Sequence, residues 1–373
     1  LQEVNKLLQL HNLNIINGQL NLDFRNNAKL QLDNVTSFVT AQQLMKSRNL
    51  TGIQQAVNML TFQKGSFTMD GLDAELEDMA LTSSGNQLKA ASINIRKKGQ
   101  LAIQAKNISI LSMLIDEKQK KLLLGGVKWD QASMDITTQS PSSSRQQPGD
   151  IIIQNINGSK TTLNIHSPPN DISLYLQSVS ANAFSTAGKK WQLDGFAATG
   201  NDLTLKNKRS LLQVDRFNIT DKQPSSLENI RYTQQGNRDS VSIQITSANM
   251  VADINSLINK DFRIQSLTIN KPLANMYLAG EAEEETDKEP GKWPMISIDK
   301  LRIQQPDIYI RKQEENETGW LVWKGADNNF LELEQLTTNN EGAGLKAGRL
   351  SFLLNRFSFR NKNPSIMAMN GLI

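Results

Sequence analysis

Residues 262–272, FRIQSLTINKP, and residues 296–306, ISIDKLRIQQP, read alike at a constant offset of 34, and their spacing decides the fold. Each places apolar side chains as φ-x-φ-x-x-φ-x-φ, where φ is apolar: Phe262, Ile264, Leu267 and Ile269, then Ile296, Ile298, Leu301 and Ile303. Alternation by two is a β-strand with one buried face. The step of three in the middle should throw the second half onto the opposite face, unless a β-bulge absorbs the extra residue. The spacing predicts a strand kinked at the central pair, with all eight residues on one face.

The same spacing recurs along the chain. It starts at Leu8, Leu10, Leu13 and Ile15 and returns at Leu122, Leu124, Val127 and Trp129. Leu174, Leu176, Val179 and Ala181 repeat it, as do Trp191, Leu193, Phe196 and Ala198, and Leu212, Val214, Phe217 and Ile219. Phe352, Leu354, Phe357 and Phe359 close the series. Three residues after several copies comes a Pro, Gly, Ala, Asn or Thr followed by x-φ-x-φ, with Pro306, Ile308 and Ile310 the cleanest case. Pro fixes φ and Gly permits positive φ, so these positions read as bends. The expected fold is mostly β: a long, twisted, mainly antiparallel sheet of repeated kinked strands, curled into a groove or sandwich, with a few short helices. Irregular spacing between copies speaks against a parallel β-helix, which holds a more constant rung. Lys98-Gly99, Lys64-Gly65, Asn17-Gly18 and Asn157-Gly158 read as hairpin turns. Ile108–Ile115, Val251–Ile258 and Thr40–Met45 break the rhythm and read as short helices.

The chain of 373 residues reads as one continuous repetitive region, with a possible subdivision into 1–139 and 151–373. The polar stretch 140–150 and the acidic stretch 280–290 read as loops thrown out from the sheet. An apolar fraction of 38% and a mean hydropathy of −0.44 imply a thin apolar layer rather than a deep core. Net charge is only +4, and no basic block is interleaved with aromatics, which speaks against nucleic-acid binding. Cysteine is absent, which removes disulfide and thiolate chemistry. No apolar run approaches the roughly 18 residues of a spanning helix, and no signal peptide is visible. The stretch reads as a portion of a longer protein, with any anchor outside it.

Little in the sequence points to catalysis. The two histidines, His11 and His166, stand alone, at an outward position and at a strand end. No His/Cys cluster has metal-ligand spacing, no G-x-S-x-G elbow accompanies a triad, and Glu283, Glu284 and Glu285 do not complete a calcium loop. The expectation is a protein that is not an enzyme and has no cofactor. Trp293, Trp320 and Trp323 cluster in the sequence and read either as packing at the sheet end or as a sugar-stacking platform.

ISIDKLRIQQPDIYIRKQEENETGW (296–320), VADINSLINKDFRIQSLTINKP (251–272) and ISILSMLIDEKQKKLLLGGVKWDQASMDI (108–136) share an order of parts. A short helical stretch leads to a strand, then to a Pro position or Ala132, and in the first case on to Gly-Trp. This order resembles AsmA-like bacterial envelope proteins. Leu321 stands where such segments often carry Asn. The resemblance implies an envelope protein on the periplasmic side, anchored by a helix outside this chain, whose apolar β-groove binds or transfers lipid or supports outer-membrane assembly. The residues themselves leave two readings open: an apolar face that holds acyl chains, or the dry interior of a closed sandwich. A structural or adhesion scaffold, binding polysaccharide or protein through edge strands and loops, is the alternative function.

Overall fold

The computed structural model describes residues 11–23, 28–47, 50–82, 86–116, 119–138, 150–186, 191–236, 239–259, 261–279, 296–314, 317–325, 327–338, 345–360 and 366–372. Across these residues the chain is mostly β: one large, mixed, mostly antiparallel sheet of many strands, with three short helices. Contacts divide it into two units, 1–168 with 175–196, and 169–174 with 197–373. The expected loop at 140–150, except Asp150, which already opens a strand, and the expected loop at 280–290 lie outside the described residues, as do Leu8, Leu10 and Trp293.

In the first unit β1 (Asn12–Asp23), β2 (Lys29–Thr40), β3 (Val57–Met69), β4 (Leu72–Thr82), β5 (Gln87–Lys97) and β6 (Leu101–Ile110) form an antiparallel meander. Helices α1 (Ala41–Lys46) and α2 (Leu50–Ala56) interrupt it between β2 and β3. Next come β7 (Ser112–Asp116), β8 (Lys121–Gly125), β9 (Lys128–Trp129) and β10 (Gln131–Thr137). β7 pairs with β8, and β6 pairs with β9 and β10, all antiparallel. β11 (Asp150–Ser167) then runs parallel to β8, β9 and β10 with Lys121↔Asp150, Lys128↔Asn157 and Ala132↔Thr161 as neighbours, each pair 29 residues apart. β12 (Asn170–Ser185), of which residues 175–185 belong to this unit, pairs at its end with β13 (Gln192–Asp194).

The second unit repeats the plan. β14 (Ala197–Lys206), β15 (Ser210–Thr220), β16 (Pro224–Gln235), β17 (Ser240–Ala252) and β18 (Phe262–Ala279) form a meander, with α3 (Ile254–Ile258) before β18. β19 (Ile296–Gln304) and β20 (Asp307–Glu314) lie parallel to β18 at the offset of 34 seen in the sequence. β21 (Glu317–Trp323), β22 (Phe330–Thr338), β23 (Leu345–Lys346), β24 (Arg349–Arg360) and β25 (Ile366–Leu372) extend the sheet by antiparallel pairs.

Single left-handed residues inside strands resolve other steps of three along the chain. The second x position of such a step has positive φ at Asn34 (55°), Asp78 (47°), Asn107 (53°), Asp202 (55°) and Asn229 (52°), and, in the steps that lead to Pro272 and Pro306, at Lys271 (48°) and Gln305 (50°), whereas the central steps 264–267 and 298–301 carry none. In a regular strand residues i and i+3 face opposite ways. Here they meet: a Cβ added at Gly65 would lie 2.5 Å from Cε2 of Phe62, and one at Gly18 2.7 Å from Cγ2 of Ile15. Leu32 and Val35, also three apart, are both buried in one cluster with Phe62, against which Leu76 and Met79 pack. The local turn of the chain therefore keeps one face apolar across the irregular step. In the second unit these sites line up. The ladder jumps from Asn201↔Arg216 to Leu203↔Val214, from Glu228↔Ser247 to Ile230↔Ile245, and from Ser247↔Asn270 to Ile245↔Pro272. A crease thus crosses β14 to β18, and alternate strands carry the left-handed residue.

Several expectations change. Ile108–Ile115 is strand, in β6 and β7, not helix. It continues the long hairpin opposite β8 and β9, and sheet pairing overrides the local Leu/Ile/Met preference for helix. Val251–Ile258 is helix over Ile254–Ile258, with Val251 and Ala252 still in β17, and Thr40–Met45 matches α1 closely. Lys98-Gly99 is a turn, with Gly99 at φ 68°. Lys64-Gly65, Asn17-Gly18 and Asn157-Gly158 instead lie inside β3, β1 and β11. There Gly provides room rather than a turn: the indole of Trp129 lies over Gly158, where an added Cβ would be 2.1 Å from Cε2.

Candidate functional site

The eight residues singled out from the sequence come together on the second unit. Phe262 is the ladder neighbour of Ile296, Ile264 of Ile298, Leu267 of Leu301 and Ile269 of Ile303. Laterally paired side chains share a face, so the repeat in the sequence becomes two adjacent strands with matched apolar faces. The central irregularity is also there. β17 pairs Val251 with Ser266 and Ala252 with Ile264, which leaves Gln265 as the extra residue of a bulge.

β22 and β24 widen this face, which the strand pattern of β18 and β19 alone did not reveal. Leu301 neighbours Leu333, which neighbours Leu350; Ile303 neighbours Leu331, which neighbours Phe352; Ile298 neighbours Leu336. Each row is therefore apolar across three or four strands. Burial along a row is uneven. Ile298 is 7% and Leu301 9% exposed, whereas Leu350 at the other end is 52% exposed. Phe262, Ile264, Leu267, Ile269, Ile296 and Ile303 are half-buried. On the β17 side α3 closes off the start of β18: Asp253 Oδ1 accepts from Asn255 N at 2.9 Å, and Ile254 is buried.

The chain turns at Gln305 and Pro306, and beyond this point the rows continue. Ala274 neighbours Ile308, Ile308 neighbours Trp323, and Trp323 neighbours Phe357. Met276, Ile310 and Leu321 form the next row. The break between β21 and β22 is held by Asn329, whose Nδ2 donates to the carbonyls of Lys324 (2.9 Å) and Asn355 (3.0 Å) and whose Oδ1 accepts from Asn355 N (2.9 Å). Gln305 N donates to the Asn329 backbone carbonyl at 2.8 Å, so one buried residue, through its side-chain amide and its main chain, ties three strand interruptions together. Trp320 and Trp323 do not form a platform: three apart in an uninterrupted strand, they face opposite ways, and Trp323 is buried in its row.

The reverse face is mostly polar. Glu332 sits between Lys300 (3.3 Å) and Arg302 (3.4 Å), and the Arg302 guanidinium lies 5.2 Å from the Phe330 ring centre. The neighbouring Asp307 carboxylate, aided by burial, raises the Tyr309 hydroxyl above its ordinary pKa. His11 is exposed, and His166 closes β11, where its carbonyl accepts from Thr138 N. Among the described residues no three His, Cys, Asp or Glu side chains are grouped to hold a metal ion, and no helix is long and apolar enough to cross a membrane. No protein-family model, curated protein or solved structure matches the chain.

Proposed function

We propose that this chain is a non-enzymatic protein of the bacterial envelope, of AsmA-like type, that binds or transfers lipid along the apolar face of β18–β22 and β24. One observation carries the reading: the apolar rows run without interruption from buried Leu301 to Leu350, which is half open to water. A dry sandwich interior closes such a row at both ends, whereas a face that takes up acyl chains leaves one end open. The energy needs no specific chemistry. Each methylene moved out of water contributes about 0.8 kcal/mol, so even a few carbons laid along these rows retain a lipid.

The test is mass spectrometry of organic extracts from the purified protein, beside the variant Ile269→Asp. Ile269 is half-buried, so a carboxylate there stays hydrated while obstructing the row. Co-purified phospholipid from the wild type, lost from a folded Ile269→Asp protein, is the expected result. Lipid-free wild type together with an unfolded variant overturns it and favours the scaffold reading.

A further inference from the structure

Among the described residues, Trp323 Nε1 is one of several buried side-chain atoms that no hydrogen bond uses, and it belongs to the apolar row of Ile308 and Phe357. Trp323 is 5% exposed, and its Nε1–H is buried without a hydrogen-bond partner. An unmatched buried donor is costly, and buried tryptophans ordinarily find an acceptor. Elsewhere in the same chain Trp129 does so: its Nε1 donates to Thr161 Oγ1 at 2.8 Å. Trp323 sits between Ile308 and Phe357, both half-buried, one crease beyond the rows of Leu301 and Ile303.

We propose that Trp323 Nε1 fixes the polar end of the bound lipid, by donating to an ester carbonyl or phosphate oxygen while the acyl chain lies along the Leu301 and Ile303 rows. This rests on the lipid-binding reading above and adds a position and an orientation to it. Hydrocarbon alone can slide along a uniform apolar face, whereas one donor within it gives the ligand a register. The donor also discriminates. A lipid with an oxygen acceptor satisfies the N–H, and a plain alkane leaves it orphaned, so head-bearing lipids are preferred over free hydrocarbon.

The variant Trp323→Phe keeps an aromatic ring in the row and removes the donor. Binding is measured with four probes: phosphatidylglycerol with ester-linked chains, its ether-linked analogue, diacylglycerol and hexadecane. The expected result is about five- to tenfold weaker binding of the oxygen-bearing lipid by Trp323→Phe, unchanged hexadecane binding, and thermal stability equal to or above wild type. A wild-type preference for ester over ether places the bond on the carbonyl. A preference for phosphatidylglycerol over diacylglycerol places it on the phosphate. Equal loss on all four probes, or no loss on any, overturns the role of Trp323 and leaves lipid binding intact. A wild type that binds none of the four overturns the lipid reading itself, and this one with it. The ester/ether and phosphatidylglycerol/diacylglycerol comparisons are made on wild type alone, so equal affinity in both overturns the proposal even if the variant does not fold.

Discussion

Gly65→Ala is the sharpest probe of how this sheet keeps one face apolar. The added methyl would sit 2.5 Å from Cε2 of Phe62 and 2.9 Å from Cδ2 of Leu32, against an ordinary carbon–carbon contact of about 3.5–4.0 Å. Phe62 is 5% and Leu32 4% exposed, so neither has free space to retreat into. Overpacking of this kind costs about 1–3 kcal/mol. The alanine also restricts the unfolded chain, which returns about 0.4–1 kcal/mol. A net destabilisation of about 1–2 kcal/mol is expected, or roughly 3–6 °C in the melting transition of a unit of this size. Circular dichroism during urea and thermal unfolding measures it, with each transition followed separately because the two units need not unfold together. Phe62→Leu in the same background shortens the obstructing side chain, so the double-mutant cycle should show favourable coupling of about 1 kcal/mol. Gly71→Ala is the contrast: no atom lies within 4 Å of its Cβ, and its cost comes only from φ of 76°. If Gly65→Ala is neutral and the cycle shows no coupling, residues 62 and 65 lie on opposite faces, as in a regular strand, and the account of the crease fails.

Two further outcomes follow from the creases. Lys271 holds φ at 48° within β18, so Lys271→Val should destabilise by about 1–2 kcal/mol while Lys271→Gly is tolerated. A urea midpoint for the valine variant at or above that of the glycine variant contradicts this. Asp130, at the first unit's break between β9 and β10, accepts from Ser159 Oγ and Lys160 Nζ, and these bonds hold its carboxyl below the ordinary value of 3.8. A folded pKa lowered in this way gives stability that is full above the unfolded value and is lost as pH falls through the folded one. Asp130→Asn should therefore flatten the stability profile on the acid side below about pH 4. An unchanged acid limb in pH-dependent melting refutes that role. The effect should be small and salt-sensitive, because the Asp130 side chain is 50% exposed.

Sequence alone determined the strand type, the repeat and the matched faces of β18 and β19. Those follow from a period of two, which a one-dimensional pattern records completely. It also carried a signal for the crease: several steps of three outside the central steps of the repeat's copies have Asn or Asp as their second x, as at Asn34, Asp78, Asn107, Asp202 and Asn229, the non-glycine residues that tolerate left-handed backbone most easily. At Asn34 and Asn107 that signal is overlaid by Asn-x-Ser/Thr triplets, which occur by chance in so Asn-rich a chain. A second repeat was legible too, KLLLGGVKWDQASMDIT (121–137) against DIIIQNINGSKTTLNIH (150–166), the stretches that pair in parallel as β8–β10 and β11.

Only the tertiary structure decided which glycines turn the chain and which make room inside a strand. Gly65 and Gly99 both follow a lysine, and the difference lies in Phe62, which local sequence does not place above Gly65. Ile108–Ile115 became strand for a similar reason, because its partners are β5, earlier in the chain, and β8 and β9, which follow only after a turn. The width of the apolar face was likewise hidden. Leu301 and Leu350 are neighbours once removed through Leu333, 49 residues apart in the chain. Whether a row is buried at one end and open at the other depends on what is packed beside it, and residues distant in the chain supply that packing.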